Sequence, residues 1–225
     1  MVGKTGNFRS SDLLIFDLDG TLIDSKLDLV HSVNAARHLM GLPNISEQLV
    51  SSYIGDGAPV LMRRALGPAA SDADVQRALE FFLAYYRDHM LDNTCLYPGV
   101  REALDGLLEG GAKMAVLTNK PVRISRAIID GLGLGGHFFQ VYGGNSFEQK
   151  KPDPVGIETL LTESGAARER TIMVGDSGVD VRTARNARVL ACGVSYGFQP
   201  ESFLQDPPDI LVDEMSELVE YVRKS

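Results

Sequence analysis

The 225-residue chain is poor in cysteine, has no block of positive charge and contains no long apolar run. Its two cysteines, Cys95 and Cys192, lie far apart and in no CxxC pattern. That usage carries no disulfide framework, and both read as reduced thiols of a cytoplasmic protein. The formal net charge is −8, which argues against electrostatic binding of nucleic acid. No stretch approaches the roughly 20 apolar residues of a membrane span. Met1 to Ser11 has no apolar segment and reads as a loose tail, not a secretory signal. His31, His38, His89 and His137 show no metal-ligand spacing. Internal repeats and low-complexity segments are absent as well.

What is present is a 44% hydrophobic chain with strand-like runs set between helical patterns. The runs are 13–16, 114–117, 139–142, 171–174, 190–194 and 210–212. They are continuously apolar, as in a parallel sheet covered on both faces. Helical stripes lie between them: Val100, Ala103, Leu104, Leu107 and Leu108 form one, and Ile124, Ala127, Ile128 and Leu132 another. Further helices are expected from Val155 to Leu161 and from Val179 to Ala187. This alternation predicts a doubly wound, Rossmann-like α/β fold.

The interval from Asp24 to about Cys95 offers helices only. Ser25 with Asp28, and Ser71 with Asp74, have the spacing of capping boxes in which Asp replaces Glu. Val75, Ala78, Leu79, Phe82, Leu83 and Tyr86 make a helical stripe that reads as interior packing. The expectation is a core of residues 12–23 and 97–225 with an all-helical insertion over residues 24–96.

The chemistry is concentrated at strand ends. The first strand runs into Asp17-Leu18-Asp19-Gly20-Thr21. Carboxylates are seldom buried without a partner. Positions i and i+2 of a strand share a face, so Asp17 and Asp19 are expected to point together and repel unless a cation or a proton lies between them, an arrangement that suggests a hard metal ion and phosphate chemistry. The second strand ends in Thr118-Asn119, and the fourth in Gly175-Asp176-Ser177-Gly178-Val179-Asp180. Lys151-Pro152 lies in the loop after the third. In open α/β sheets ligands bind beyond the carboxyl ends of the strands. Read singly, Asp17-Asp19 could be a turn, Thr118-Asn119 a helix cap, Lys151 a surface lysine and Asp180 a first-turn acid. Together they have the layout of one site. Gly131-x-Gly133-x-x-Gly136 fits a dinucleotide fingerprint by its letters, but it follows a helix and reads as a helix end and turn.

These four motifs, in this order, resemble those of the haloacid dehalogenase superfamily. The position of the insertion resembles its helical type of cap. Gly41-Leu42-Pro43, Tyr53-Ile54-Gly55-Asp56-Gly57-Ala58 and Lys151-Pro152-Asp153-Pro154 resemble the phosphoglycolate phosphatase group within it. The resemblance implies a Mg²⁺-dependent phosphatase acting through an aspartyl-phosphate on a small phosphorylated metabolite, with 2-phosphoglycolate the first candidate. It implies that Asp17 is the nucleophile and Asp19 the acid and base. It places Mg²⁺ on the Asp17 carboxylate, the Asp19 backbone carbonyl and the Asp176 carboxylate, with Asp180 behind them. Thr118, Asn119 and Lys151 would hold the phosphoryl group.

Within the superfamily, Asp19 favours phosphoryl transfer, because a departing halide needs no proton. Lys26 is the only lysine between Asp24 and Cys95 and lies too near the first motif for a Schiff base from the insertion. A phosphomutase, other substrates (a sugar phosphate, N-acetylmuramic acid 6-phosphate, a nucleotide, pyrophosphate) and an inert binding scaffold stay open, as does the choice between monomer and homodimer. Arg63 and Arg64 read as a solvated face. Arg188 stands where relatives end a helix with Gly, so a left-handed residue there would be strained.

Overall fold

The computed structural model describes residues 13–224; the N-terminal tail lies outside that range. The six expected strands form one parallel sheet. They are β1 (Leu13–Phe16), β4 (Lys113–Leu117), β5 (Gln140–Tyr142), β6 (Thr171–Gly175), β7 (Leu190–Val194) and β8 (Ile210–Val212), in the order β5-β4-β1-β6-β7-β8. β1 is central, with Leu14 opposite Met114 on one side and Ile172 on the other.

Both faces of β1 are covered, which explains its unbroken apolar run. Leu14 and Phe16 pack into one core with α5 (Val100–Glu109), α6 (Val122–Gly131) and α9 (Met215–Lys224). Leu13 and Ile15 pack into a second core with α7 (Val155–Ser164) and α8 (Gly178–Ala187). In the α5 stripe Val100, Ala103, Leu104 and Leu107 are buried, whereas Leu108 is exposed. The Gly131–Gly136 run is a helix end and turn, with Gly133 at φ +71°.

Two short strands escaped the sequence reading. β2 (Ile23–Asp24) and β3 (Cys95–Leu96) pair antiparallel at the root of the helical interval. Between them lie α1 (Lys26–Leu39), α2 (Glu47–Ser51), α3 (Ala58–Leu66) and α4 (Asp72–His89). Val33, Ala36, Met62, Ala78 and Phe82 are buried in their packing.

Ser71 and Asp74 form the expected capping box on α4. Ser25 and Asp28 do not, because each side chain has a stronger partner elsewhere. Ser25 Oγ donates to Asp19, and Asp28 accepts from the backbone and side chains of Asn93 and Thr94. Asp28 thus ties the first turn of α1 to the chain entering β3.

Candidate active site

The strand ends meet where the sequence places them, and Asp17 and Asp19 line one cavity with different partners. β1 stops at Phe16, and a turn follows in which Gly20 N donates to Ile23 O and Thr21 N to Leu18 O. Strand alternation therefore no longer governs Asp19. Both carboxylates line the same cavity, as expected, and that of Asp19 has partners of its own.

Asp17 belongs to an acidic trio. One carboxylate oxygen from each of Asp17, Asp176 and Asp180 lies within 4.8 Å of the others, and all three residues are buried. The Asp19 carboxylate is not in that group. Lys151 is the cation inside it: Nζ donates to Asp180 Oδ1 at 2.7 Å and faces Asp17 Oδ1 at 3.0 Å, without the alignment of a hydrogen bond. Asp180 Oδ2 also accepts from Ser177 Oγ at 2.7 Å and caps α8. Asp180 is thus both the first-turn acid and a member of the site. Asp176 Oδ2 accepts from the Phe198 backbone at 2.6 Å.

Electrostatics show the strain of this grouping. Burial pushes the Asp17 carboxyl up from 3.8 to about 6, against the pull of Lys151 and with the push of Asp180. Burial raises Asp176 well above the ordinary carboxylate range, and Asp180 and Asp17 add to it. Lys151, desolvated but flanked by Asp17 and Asp180, is held above the ordinary lysine value. Three carboxylates face one ammonium, so the group is short of positive charge. An oxygen-only donor set of this kind fits a hard divalent cation.

Glycine makes the close packing possible. Gly20 has φ +79°, and a Cβ there would lie 2.2 Å from Asp176 Oδ2. A Cβ on Gly197 would lie 2.1 Å from the Asp176 Cβ.

Thr118 is buried in the cavity lining beside Asp17, and its hydroxyl accepts from the Lys120 backbone at 3.3 Å. It does not cap α6, which starts at Val122 after Pro121. Asn119 Nδ2 donates to Gly55 O at 2.9 Å and Lys151 O at 3.1 Å, linking the helical interval to the lysine loop. Its Oδ1 is buried without a partner. Lys150, the neighbour of Lys151, turns outward and reaches the Asp56 carbonyl. Arg63 and Arg64 pair with Asp72 and Asp56 on the exposed face, as expected.

Asp19 sits in a second cluster that sequence reasoning missed. Its carboxylate accepts from Ser25 Oγ at 2.5 Å and from Lys120 Nζ at 2.8 and 2.9 Å. Lys120 also donates to the Tyr86 hydroxyl at 2.7 Å. Burial drives the Tyr86 phenol up to about 12 despite Lys120 beside it. The available signal was Lys120 itself, directly after Thr118-Asn119 at a strand end. Tyr86 gave none, because its helical spacing is that of ordinary core.

Above these groups the cavity wall is apolar. Leu29, Ile54, Ala58, Leu61, Phe82, Leu83, Ile124 and Phe198 line it, with Gln199 at the rim. Gln199 Nε2 donates to Ile54 O at 2.7 Å, a second link between the helical interval and the sheet side.

Among known proteins, a family model described as haloacid dehalogenase-like hydrolase matches residues 14–194. A phosphoglycolate phosphatase of Vibrio parahaemolyticus is 37% identical over 220 residues, covering 95% of this chain and 96% of that protein. One from Pseudomonas syringae pv. syringae is 37% identical over 214 residues, covering 92% and 78%. A crystal structure of a predicted phosphoglycolate phosphatase from Haemophilus somnus superposes with a TM-score of 0.90 at 31% identity, covering 96% of this chain and 99% of that one.

Proposed function

The chain belongs to the haloacid dehalogenase-like hydrolase family, and on that premise we propose that it hydrolyses a small phosphate monoester through Asp17, with 2-phosphoglycolate the first substrate to test. The observation that carries this reading is the buried Asp17 carboxylate beyond β1, facing Lys151 at 3.0 Å within the acidic trio. The names of the relatives above support the choice of ester.

In the first step an Asp17 oxygen attacks phosphorus and the bond to the leaving oxygen breaks, with Asp19 giving that oxygen a proton. In the second, water attacks the aspartyl-phosphate while Asp19 takes a proton from it, and inorganic phosphate leaves. Lys151, the Thr118 hydroxyl and the Asn119 backbone hold the phosphoryl oxygens and offset the charge that develops on them. Asp17, Asp176 and the Asp19 carbonyl would hold Mg²⁺, with Asp180 orienting them. Bound there, the ion supplies positive charge that lets an anionic nucleophile meet an anionic ester.

The four helices within residues 24–96 serve as a cap that excludes water. Leu29, Leu61, Phe82 and Leu83 of these helices line the space above Asp17, an apolar wall against the leaving group.

The test is a panel of phosphoesters with Mg²⁺, read by released phosphate. Two-carbon and three-carbon esters should be turned over best. Asp17→Asn should abolish turnover by at least about a thousandfold, the scale on which losing a nucleophile acts. Retained hydrolysis in that variant would sink the mechanism.

A further inference from the structure

Lys120 is a fully committed ammonium. It has three N–H groups, of which two go to Asp19 Oδ1 and Oδ2 and the third to the Tyr86 hydroxyl. Its side chain is 4% exposed. These contacts tie the Lys120 ammonium to Asp19 and Tyr86, so its direct route to the chemistry runs through Asp19.

The carboxylate it holds is nearly filled as well. Ser25 Oγ and Lys120 occupy Oδ1, and Lys120 occupies one direction of Oδ2. A carboxylate offers about four acceptor directions, so a single one, on Oδ2, is left. Asp19 lines the cavity beside Asp17. A group with one free lone pair, held by three donors, has a fixed aim.

The anchor of this arrangement comes from the helical interval. Tyr86 belongs to α4, and Lys120 Nζ lies 4.5 Å from its ring centroid as well as on its hydroxyl. Phe82, one turn earlier, stacks on Tyr86 with centroids 5.7 Å apart. The ammonium therefore joins a residue beyond β1 to one on the last helix of the insertion.

We propose that Lys120 is a positioning residue that aims the free lone pair of Asp19 at the attacking water, with Tyr86 fixing Lys120 from the helical side. This rests on the reading of Asp19 as the base of the second step. There the water O–H bond breaks and its proton goes to Asp19 Oδ2. The water oxygen bonds to phosphorus as the bond to Asp17 breaks.

The test uses 4-nitrophenyl phosphate with Mg²⁺ in a rapid-mixing experiment. Nitrophenolate leaves without a proton, so formation of the phospho-enzyme makes little demand on Asp19. Lys120→Met should lower kcat by about a hundredfold, the size of a general-base contribution, while kcat/KM stays within about tenfold. A burst of nitrophenolate approaching one per enzyme should then precede the slow steady state. Tyr86→Phe keeps the ring and removes the hydroxyl. It should act in the same direction, lowering kcat about three- to tenfold, as the loss of one hydrogen bond would.

A parallel fall of kcat and kcat/KM without a burst would overturn the proposal, as would an unchanged kcat in both variants. Should Lys120→Met fail to fold in a thermal melt, Tyr86→Phe decides by the same criteria. Asp17→Asn separates the underlying mechanism: turnover in that variant would refute the phospho-enzyme itself, whatever Lys120 does.

Discussion

The cavity has two unlike halves. The half built from the sheet is charged, crowded and braced by glycine, with Asp17, Asp176, Asp180 and Lys151 buried together. The half built from the insertion is apolar, with Leu61, Phe82 and Leu83 over the same space. The first half has groups that can react with phosphorus, and the second has almost none. Under the function proposed above, the difference would give bond breaking to the sheet and choice of leaving group to the helices. Tyr86 is the exception, a helical residue wired by Lys120 into the charged half.

The largest effect expected of this division is on stability in the absence of metal. Asp17 is raised from 3.8 to about 6 by burial, and Asp176 moves the same way. A raised carboxyl binds its proton more tightly folded than unfolded. Its contribution is therefore favourable at low pH and is lost as pH rises from about 4 through about 6. For Asp17 alone, two units amount to up to about 3 kcal/mol. Urea unfolding with a chelator present should show a more stable protein near pH 5 than near pH 7.5. Mg²⁺ should reduce that gain by favouring the anion, and Asp17→Asn should lack its share. A metal-free protein more stable at the higher pH would break the view of the sheet half as short of positive charge.

On the helical half the sharpest probe is Leu83, half-buried on α4 at the cavity wall. Leu83→Ala enlarges the space for the leaving group. The ratio of kcat/KM for a four-carbon hydroxy-acid phosphate to that for 2-phosphoglycolate should rise about tenfold, as methylene-sized changes in an apolar pocket do. Inhibition by inorganic phosphate should not move, because phosphate meets only the sheet half. A matching change in phosphate inhibition would show that the halves are not separable.

The same contrast explains what could be read from the chain. The six strands were legible because a doubly covered sheet demands apolar runs, as in Leu13–Phe16. Asp17, Asp176, Asp180 and Lys151 were legible only together, because singly Lys151 reads as a surface lysine and Asp180 as a first-turn acid, and the order of the four motifs is what marks one site. Asp19 was legible as the companion of Asp17, and both line the cavity, but its ties to Ser25 and Lys120 were not, since the chain turns after Phe16. Ser25 was assigned to a cap box, and a carboxylate six residues back outcompeted the helix end. Tyr86 could not be found at all. Its spacing on α4 is that of a core residue, and it is one; only the distance from its hydroxyl to Lys120 tells that it is also more.

The smallest effect concerns neither half, and it measures the background against which the others are judged. Arg188 follows α8 at φ +56° and ψ +42°, a left-handed residue with a full side chain. Such a conformation costs roughly 1–2 kcal/mol in an L-residue, while glycine adopts it freely. Glycine also loosens the unfolded chain, which takes back part of the gain. Arg188→Gly should therefore stabilise the protein by about 0.5–1 kcal/mol, raising Tm by about 1–4 °C for a domain of this size. The position lies past the far end of α8, whose first turn holds Asp180, so kcat and KM should stay at their original values. A fall in Tm would mean that the Arg188 side chain contributes more than its backbone costs. A change in kcat would mean that the end of α8 reaches the acidic trio through Asp180, and that the sheet half extends further than its buried charges.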